Sequence, residues 1–161
     1  MKKYELTEET VAVYGKTLYR IRAVRDFGSV KTGEFGGYIE KEENLSHSGK
    51  AWVSGNAWVS GKAWVSGNAK VCGNAEVCGN AEVSNTRHFF VQGPIGSRND
   101  FVTFYRTTNN TVGVRCGCFS GSLQKFVDRV EETHGGSRYE KEYKLAAELA
   151  KVCIRLEGES R

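Results

Sequence analysis

The stretch AWVSGNAWVSGKAWVSGN, residues 51–68, states nearly the same six residues three times. The beat goes on without its Trp in AKVCGN, AEVCGN and AEVSNT, ending near Thr86. A fixed six-residue period predicts a stack of hexapeptide coils. Val stands at 53, 59, 65, 71 and 77, and Ala four residues later in each repeat. Small and β-branched side chains fit a narrow interior, while Gly followed by Asn or Lys turns each corner. Gly takes a positive φ at no steric cost, and Asn tolerates one better than most residues. An α-helix has no use for Gly-Asn at every sixth position.

The pattern resembles the hexapeptide repeat of left-handed parallel β-helices, in which three short strands complete one triangular coil. The phase runs back through Leu45 and Ile39 to Phe35, which predicts about three coils over residues 35–86. His47 then falls at a position equivalent to Val. So thin a core needs caps at both ends or partners. Trp52, Trp58 and Trp64 take the outward position of three successive strands, one on each face of a coil. A ring of three exposed Trp predicts an interface. Proteins of the hexapeptide class resemble one another in forming threefold trimers, so a homotrimer is expected. The alternative is that these rings cover cap segments of their own chain.

Residues 1–34 read as an N-terminal β cap, with a hairpin over 10–24 turning at Tyr14-Gly15-Lys16. Residues 87–161 read as an α+β unit of three strands and two helices. HFFVQGPIG, DFVTFYRT and TVGVRCGCF are rich in β-branched and aromatic residues. Ser122 caps a first helix and Gly135-Gly136 ends it. A second runs from about Ser137 to Leu156, its buried stripe through Tyr139, Tyr143, Ala146, Leu149 or Ala150, and Cys153. With the helices on one face of the sheet, the other face is expected to serve a partner or ligand. The fold class is therefore mainly β, with a C-terminal β3-α2 unit.

The segments LYRIRAVRDFGSVKTGEFGGYIEKEENLS, GPIGSRNDFVTFYRT, and CGCFSGSLQKFVDRVEETHG with KEYKLAAELAK resemble a group of uncharacterised phage and prophage proteins. Members of that group join a hexapeptide prism to this same C-terminal unit. The resemblance covers most of the chain. It implies a virus-encoded accessory protein acting in the host bacterial cytoplasm, and it implies no chemistry.

The chain has 161 residues and a net charge of +4. The excess lies in residues 87–121, where Arg87, Arg98, Arg106 and Arg115 face a lone Asp100. Arg presents a rigid fork of donors suited to carboxylate or phosphate. In GPIGSRND, Gly96 frees backbone N–H groups, Ser97 adds a hydroxyl and Arg98 a guanidinium, the makings of an anion cradle. Asp100 is placed to orient Arg98 or to accept from a ribose or base. Thr103, Arg106 and Arg115 follow on the neighbouring strands. A small anionic, nucleotide-like ligand is the expected partner, and extended nucleic acid is disfavoured by so modest a charge.

No apolar run is long enough to span a bilayer, and MKKYELTEETV has no apolar segment of the signal-peptide kind. The five cysteines are then expected as cytosolic thiols, small and buried, and Cys116-Gly-Cys118 alone is weak support for a metal. No cofactor motif is legible. An acyltransferase would need one of His47, His88 or His134 as its base. The expectation is a non-enzymatic binder that sequesters a host defence signal. The alternatives are an inhibitor or scaffold on a host defence protein, and an acyltransferase.

Overall fold

The computed structural model describes residues 1–158. Two antiparallel strands, β1 (Tyr4–Val13) and β2 (Lys16–Ala23), form the expected hairpin, turning at Tyr14-Gly15 with Tyr14 at φ 48°. β3 (Phe35–Ile39) pairs antiparallel with β2 and parallel with the repeat strand Trp58–Val59. The cap and the repeats thus share one sheet, which runs from β1 through β2 and β3 to the repeat strands Trp58–Val59 and Glu76–Val77.

The repeats give six two-residue strands: β4 (Trp52–Val53), β5 (Trp58–Val59), β6 (Trp64–Val65), β7 (Lys70–Val71), β8 (Glu76–Val77) and β9 (Glu82–Val83). Trp52 pairs with Lys70, Trp58 with Glu76 and Trp64 with Glu82, all in parallel and each eighteen residues on. Three hexads therefore return the chain to the same ladder. Val53, Val59, Val65, Val71, Val77 and Val83 are wholly buried, as are Ala57, Ala69, Ala75 and Ala81. Each buried Val contributes roughly 1.5–3 kcal/mol over its exposed state. The corners need Gly: Gly67 has φ 62°, and a Cβ there would overlap the Ser84 carbonyl oxygen.

The earliest turn departs from the even phase. Ile39 stands opposite Val59 and Leu45 opposite Val65, intervals of twenty residues. The two extra residues lie between Ser46, which donates to the Val65 carbonyl, and Lys50, which donates to that of Gly67. His47 sits in this enlarged corner and not at a Val position. Its ring stacks on Tyr4 at 4.2 Å and its Nδ1 accepts the Lys3 N–H at 3.1 Å. Phe35 is likewise no core residue; it pairs with Arg22 and is half exposed.

The C-terminal sheet has four strands, not three: β10 (Phe89–Ile95), β11 (Asp100–Arg106), β12 (Val112–Cys116) and β13 (Phe119–Ser122), antiparallel in that order. The extra strand arises because Gly117 and Cys118 form a tight turn and Cys116 pairs with Phe119. Cys118 is consequently exposed, and so is Cys72; the expectation that the thiols are buried holds fully only for Cys78. Helices α1 (Leu123–His134) and α2 (Arg138–Cys153) cover one face, with Ser122 Oγ accepting the Lys125 N–H as the cap. Phe90, Val102, Phe104, Val114, Phe126, Tyr143 and Ala150 form the core between them.

The opposite face is not free. Tyr105 joins the core of the repeats, Thr103 Oγ1 accepts the Glu76 N–H at 2.9 Å, and Thr107 bridges to Ala81. Strand alternation explains this, since residues 103 and 105 point opposite to 102 and 104. The repeats supply the second covering that the sheet needs. The same packing overturns the ring of exposed Trp. Trp52 is buried edge-on against Phe27 at 5.2 Å, and Trp58 lies under Arg115 at 5.3 Å. Trp64, on the third ladder, remains 46% exposed. Cap and C-terminal sheet each cover one face, so the alternative expectation, rings packed on their own chain, holds for Trp52.

Candidate functional site

A cleft opens where the β10–β11 turn, the β12–β13 turn and α1 converge. Its volume is about 290 Å³, just under the roughly 300–1,000 Å³ usual for small-molecule sites. The β10–β11 turn brings Ser97, Arg98 and Asp100, and the β12–β13 turn brings Cys116, Cys118 and Phe119. One face of α1 contributes Phe126, Arg129, Val130, Thr133 and His134. Tyr143 of α2 forms the back wall, and its hydroxyl is close enough that a Cβ at Gly96 (φ 79°) would overlap it.

The charge here is uncommitted. Neither Arg98 nor Arg129 forms an ion pair among the described residues; Arg129 lies 5.8 Å over the Phe119 ring. His134 packs against Tyr143 at 5.5 Å and Tyr139 at 5.9 Å. Asp100 Oδ1 accepts the Phe101 N–H at 2.8 Å. Burial, reinforced by the Asp100 charge, pushes the Cys116 thiol up to about 11. It is therefore a neutral donor at physiological pH, not a nucleophile. Burial, with Cys116 adding to it, pushes Tyr143 up to about 12.

The residues expected to form one site divide into three groups. Ser97, Arg98 and Asp100 meet in this cleft. Gly96 stands beside it, but its N–H is already taken by Glu142 Oε1 at 2.8 Å. The backbone cradle expected there is thus filled by a carboxylate of the chain itself. Thr103 and Arg106 are structural. Thr103 faces the repeats, and Arg106 is buried, donating to the Glu82 carbonyl at 3.1 Å and reaching the carboxylates of Glu82 and Glu157. Arg115 lies on the far face of the sheet, against Tyr14 and Trp58. Adjacent residues of one strand cannot serve one cleft, and Arg115 neighbours Cys116.

Among the cleft residues that sequence reasoning does not assign to the ligand are Arg129, Thr133 and His134 of α1. The signal was present in α1: positions 126, 129, 130, 133 and 134 follow helical spacing, and the three polar members ride on the same face as the two apolar ones. Of the other histidines, His47 is held as described above. His88 is buried, which lowers its pKa; its Nδ1 accepts the Ser84 N–H at 3.1 Å. No protein-family model matches the chain, and no curated protein matches it in sequence.

Proposed function

We propose that the chain is a non-catalytic binding protein that captures a small anionic ligand of nucleotide type in the Arg98 cleft. One observation carries this reading: two guanidinium groups, Arg98 and Arg129, line a single small cleft with no carboxylate paired to either among the described residues. Such groups suit phosphate oxygens. Phe119 and Tyr143 give the cleft apolar lining suited to a base, and Asp100 offers an acceptor to a ribose or base donor. The raised Cys116 pKa argues against covalent chemistry there.

The scaffold we propose is a left-handed parallel β-helix of hexapeptide repeats, about three coils long. The eighteen-residue parallel ladders support it. A homotrimer is part of the same reading, with Trp64 as the one Trp left to anchor a contact. The phage resemblance supports reading this binder as one acting in an infected bacterium's cytoplasm, where sequestering a defence signal would give binding without turnover a role.

A second reading, docking onto a host defence protein, cannot use the sheet, whose two faces are both packed. It is favoured instead by Leu145, Leu149 and Val152, exposed along one side of α2 at spacings of four and three. The acyltransferase reading loses weight because His47 and His88 are both held by backbone N–H groups.

Protein purified from infected cells, heat-denatured and analysed by mass spectrometry is expected to release a phosphorylated compound in stoichiometric amount. Arg98→Ala is expected to release none while keeping its melting temperature. A compound equally retained by Arg98→Ala and Arg129→Ala would reject the site.

A further inference from the structure

A second cleft, of about 440 Å³, lies where the tip of the β1–β2 hairpin, the β5–β8 ladder and the C-terminal sheet meet. We propose that it binds a small phosphate monoester with a flat apolar body, independently of the Arg98 cleft. Arg115 is the reason. Its guanidinium carbon lies 4.4 Å from the Tyr14 ring centre and 5.3 Å from that of Trp58, so the group is held over two rings. The side chain is only 11% exposed, its Nε has no hydrogen-bond acceptor among the described residues, and the nearest carboxylate there, Glu76, stands at 4.0 Å. A cation withdrawn from water and left without a close acceptor costs free energy that an arriving anion restores.

The rest of the wall agrees with that chemistry. Lys16 and Lys62 line the cleft with Arg115, and no carboxylate among the described residues does. Lys62 is in no ion pair among the described residues. Lys16 reaches Glu40 at 3.4 Å, but the same Glu40 oxygen accepts the Gly61 N–H at 2.6 Å from outside the cleft. With Glu40 and Glu76 each offsetting part of a neighbouring cation, the uncompensated charge is small. It fits one phosphate group and not a polyphosphate chain. Val13 and Leu18 give the cleft an apolar floor beside Trp58, which selects a phosphate carried on a flat or aliphatic body over inorganic phosphate.

Phenyl phosphate titrated into the full-length protein tests this, followed by calorimetry and by Trp fluorescence. We expect saturable binding of one molecule per chain and a change in emission that Trp58→Phe abolishes. Lys62→Glu, at an exposed position, should weaken binding about tenfold or more without lowering the melting temperature. Arg115→Met should do the same, and phenol should show no saturable binding. Arg98→Ala should bind phenyl phosphate as the unaltered chain does, which separates this site from the other cleft. Absence of saturable heat, binding unaffected by Lys62→Glu, or binding lost in Arg98→Ala would each overturn the assignment.

Discussion

Thr103 Oγ1 accepts the backbone N–H of Glu76 at 2.9 Å, across the seam between the C-terminal sheet and the repeats. Thr103 is wholly buried, so the bond has no water to replace it. Thr103→Val keeps the shape and orphans the N–H. The expected cost is about 1–3 kcal/mol, the desolvation penalty of an unpaired buried donor. Urea unfolding measures it. Because the bond ties two cores together, the variant should also broaden or split the transition seen by far-ultraviolet circular dichroism.

The three Trp residues should differ sharply despite occupying equivalent repeats. Trp52→Ala removes a ring packed on Phe27 and Tyr4 and should cost roughly 3–5 kcal/mol. Trp64→Ala should cost about 1 kcal/mol or less in the fold of one chain. If the exposed ring anchors self-association, sedimentation of Trp64→Ala will show smaller particles than the parent, and unchanged sedimentation assigns the contact elsewhere.

Lys3 gives the protein a stability gradient in alkaline solution. Its side chain is wholly buried, donating to the Ala51 carbonyl at 2.6 Å, and burial followed by repulsion from Arg25 lowers its pKa to about 8. The unfolded chain, with an ordinary lysine near 10.5, binds more protons between these two values. Stability attributable to Lys3 therefore rises with pH from about 8 to 10.5 and is flat below. The gain should be on the order of 3 kcal/mol. Denaturant titrations at pH 8 and pH 10 should differ less in Lys3→Met than in the parent chain.

Thiol labelling should divide the cysteines by environment. Cys72 and Cys118 are exposed and should alkylate first at neutral pH. Cys116, with its pKa raised to about 11, and the buried Cys78 should lag by about tenfold or more. A ligand in the Arg98 cleft should slow Cys118 and leave Cys72 unchanged, as peptide mass mapping will show.

Much of this architecture was legible in residues 51–86, because a six-residue beat of Val, Ala and Gly admits few folds. What it could not show was how the flanks close on that stack. Trp52, Trp58 and Trp64 read identically along the chain, and only the cap and the sheet, long-range neighbours, make two of them interior. The same limit governed the arginines. Arg98, Arg106 and Arg115 look alike as an excess of charge, yet strand alternation and the carboxylates of Glu82 and Glu157 send them to three different fates. Gly96 reads along the chain as an open backbone position, but Glu142, forty-six residues away, supplies its anion.

The ladder interval also acts as an indexing device. Each hexad advances the chain by one ladder, and only a set of three restores its orientation. Tyr14 rides on the sheet that continues into the β5–β8 ladder, and Arg115 meets it there from the far end of the chain. An inserted single hexad would rotate the C-terminal unit away from Tyr14, while eighteen residues would restore its bearing one storey higher. The number of repeats is thereby quantised by the requirement that two distant segments arrive on the same side.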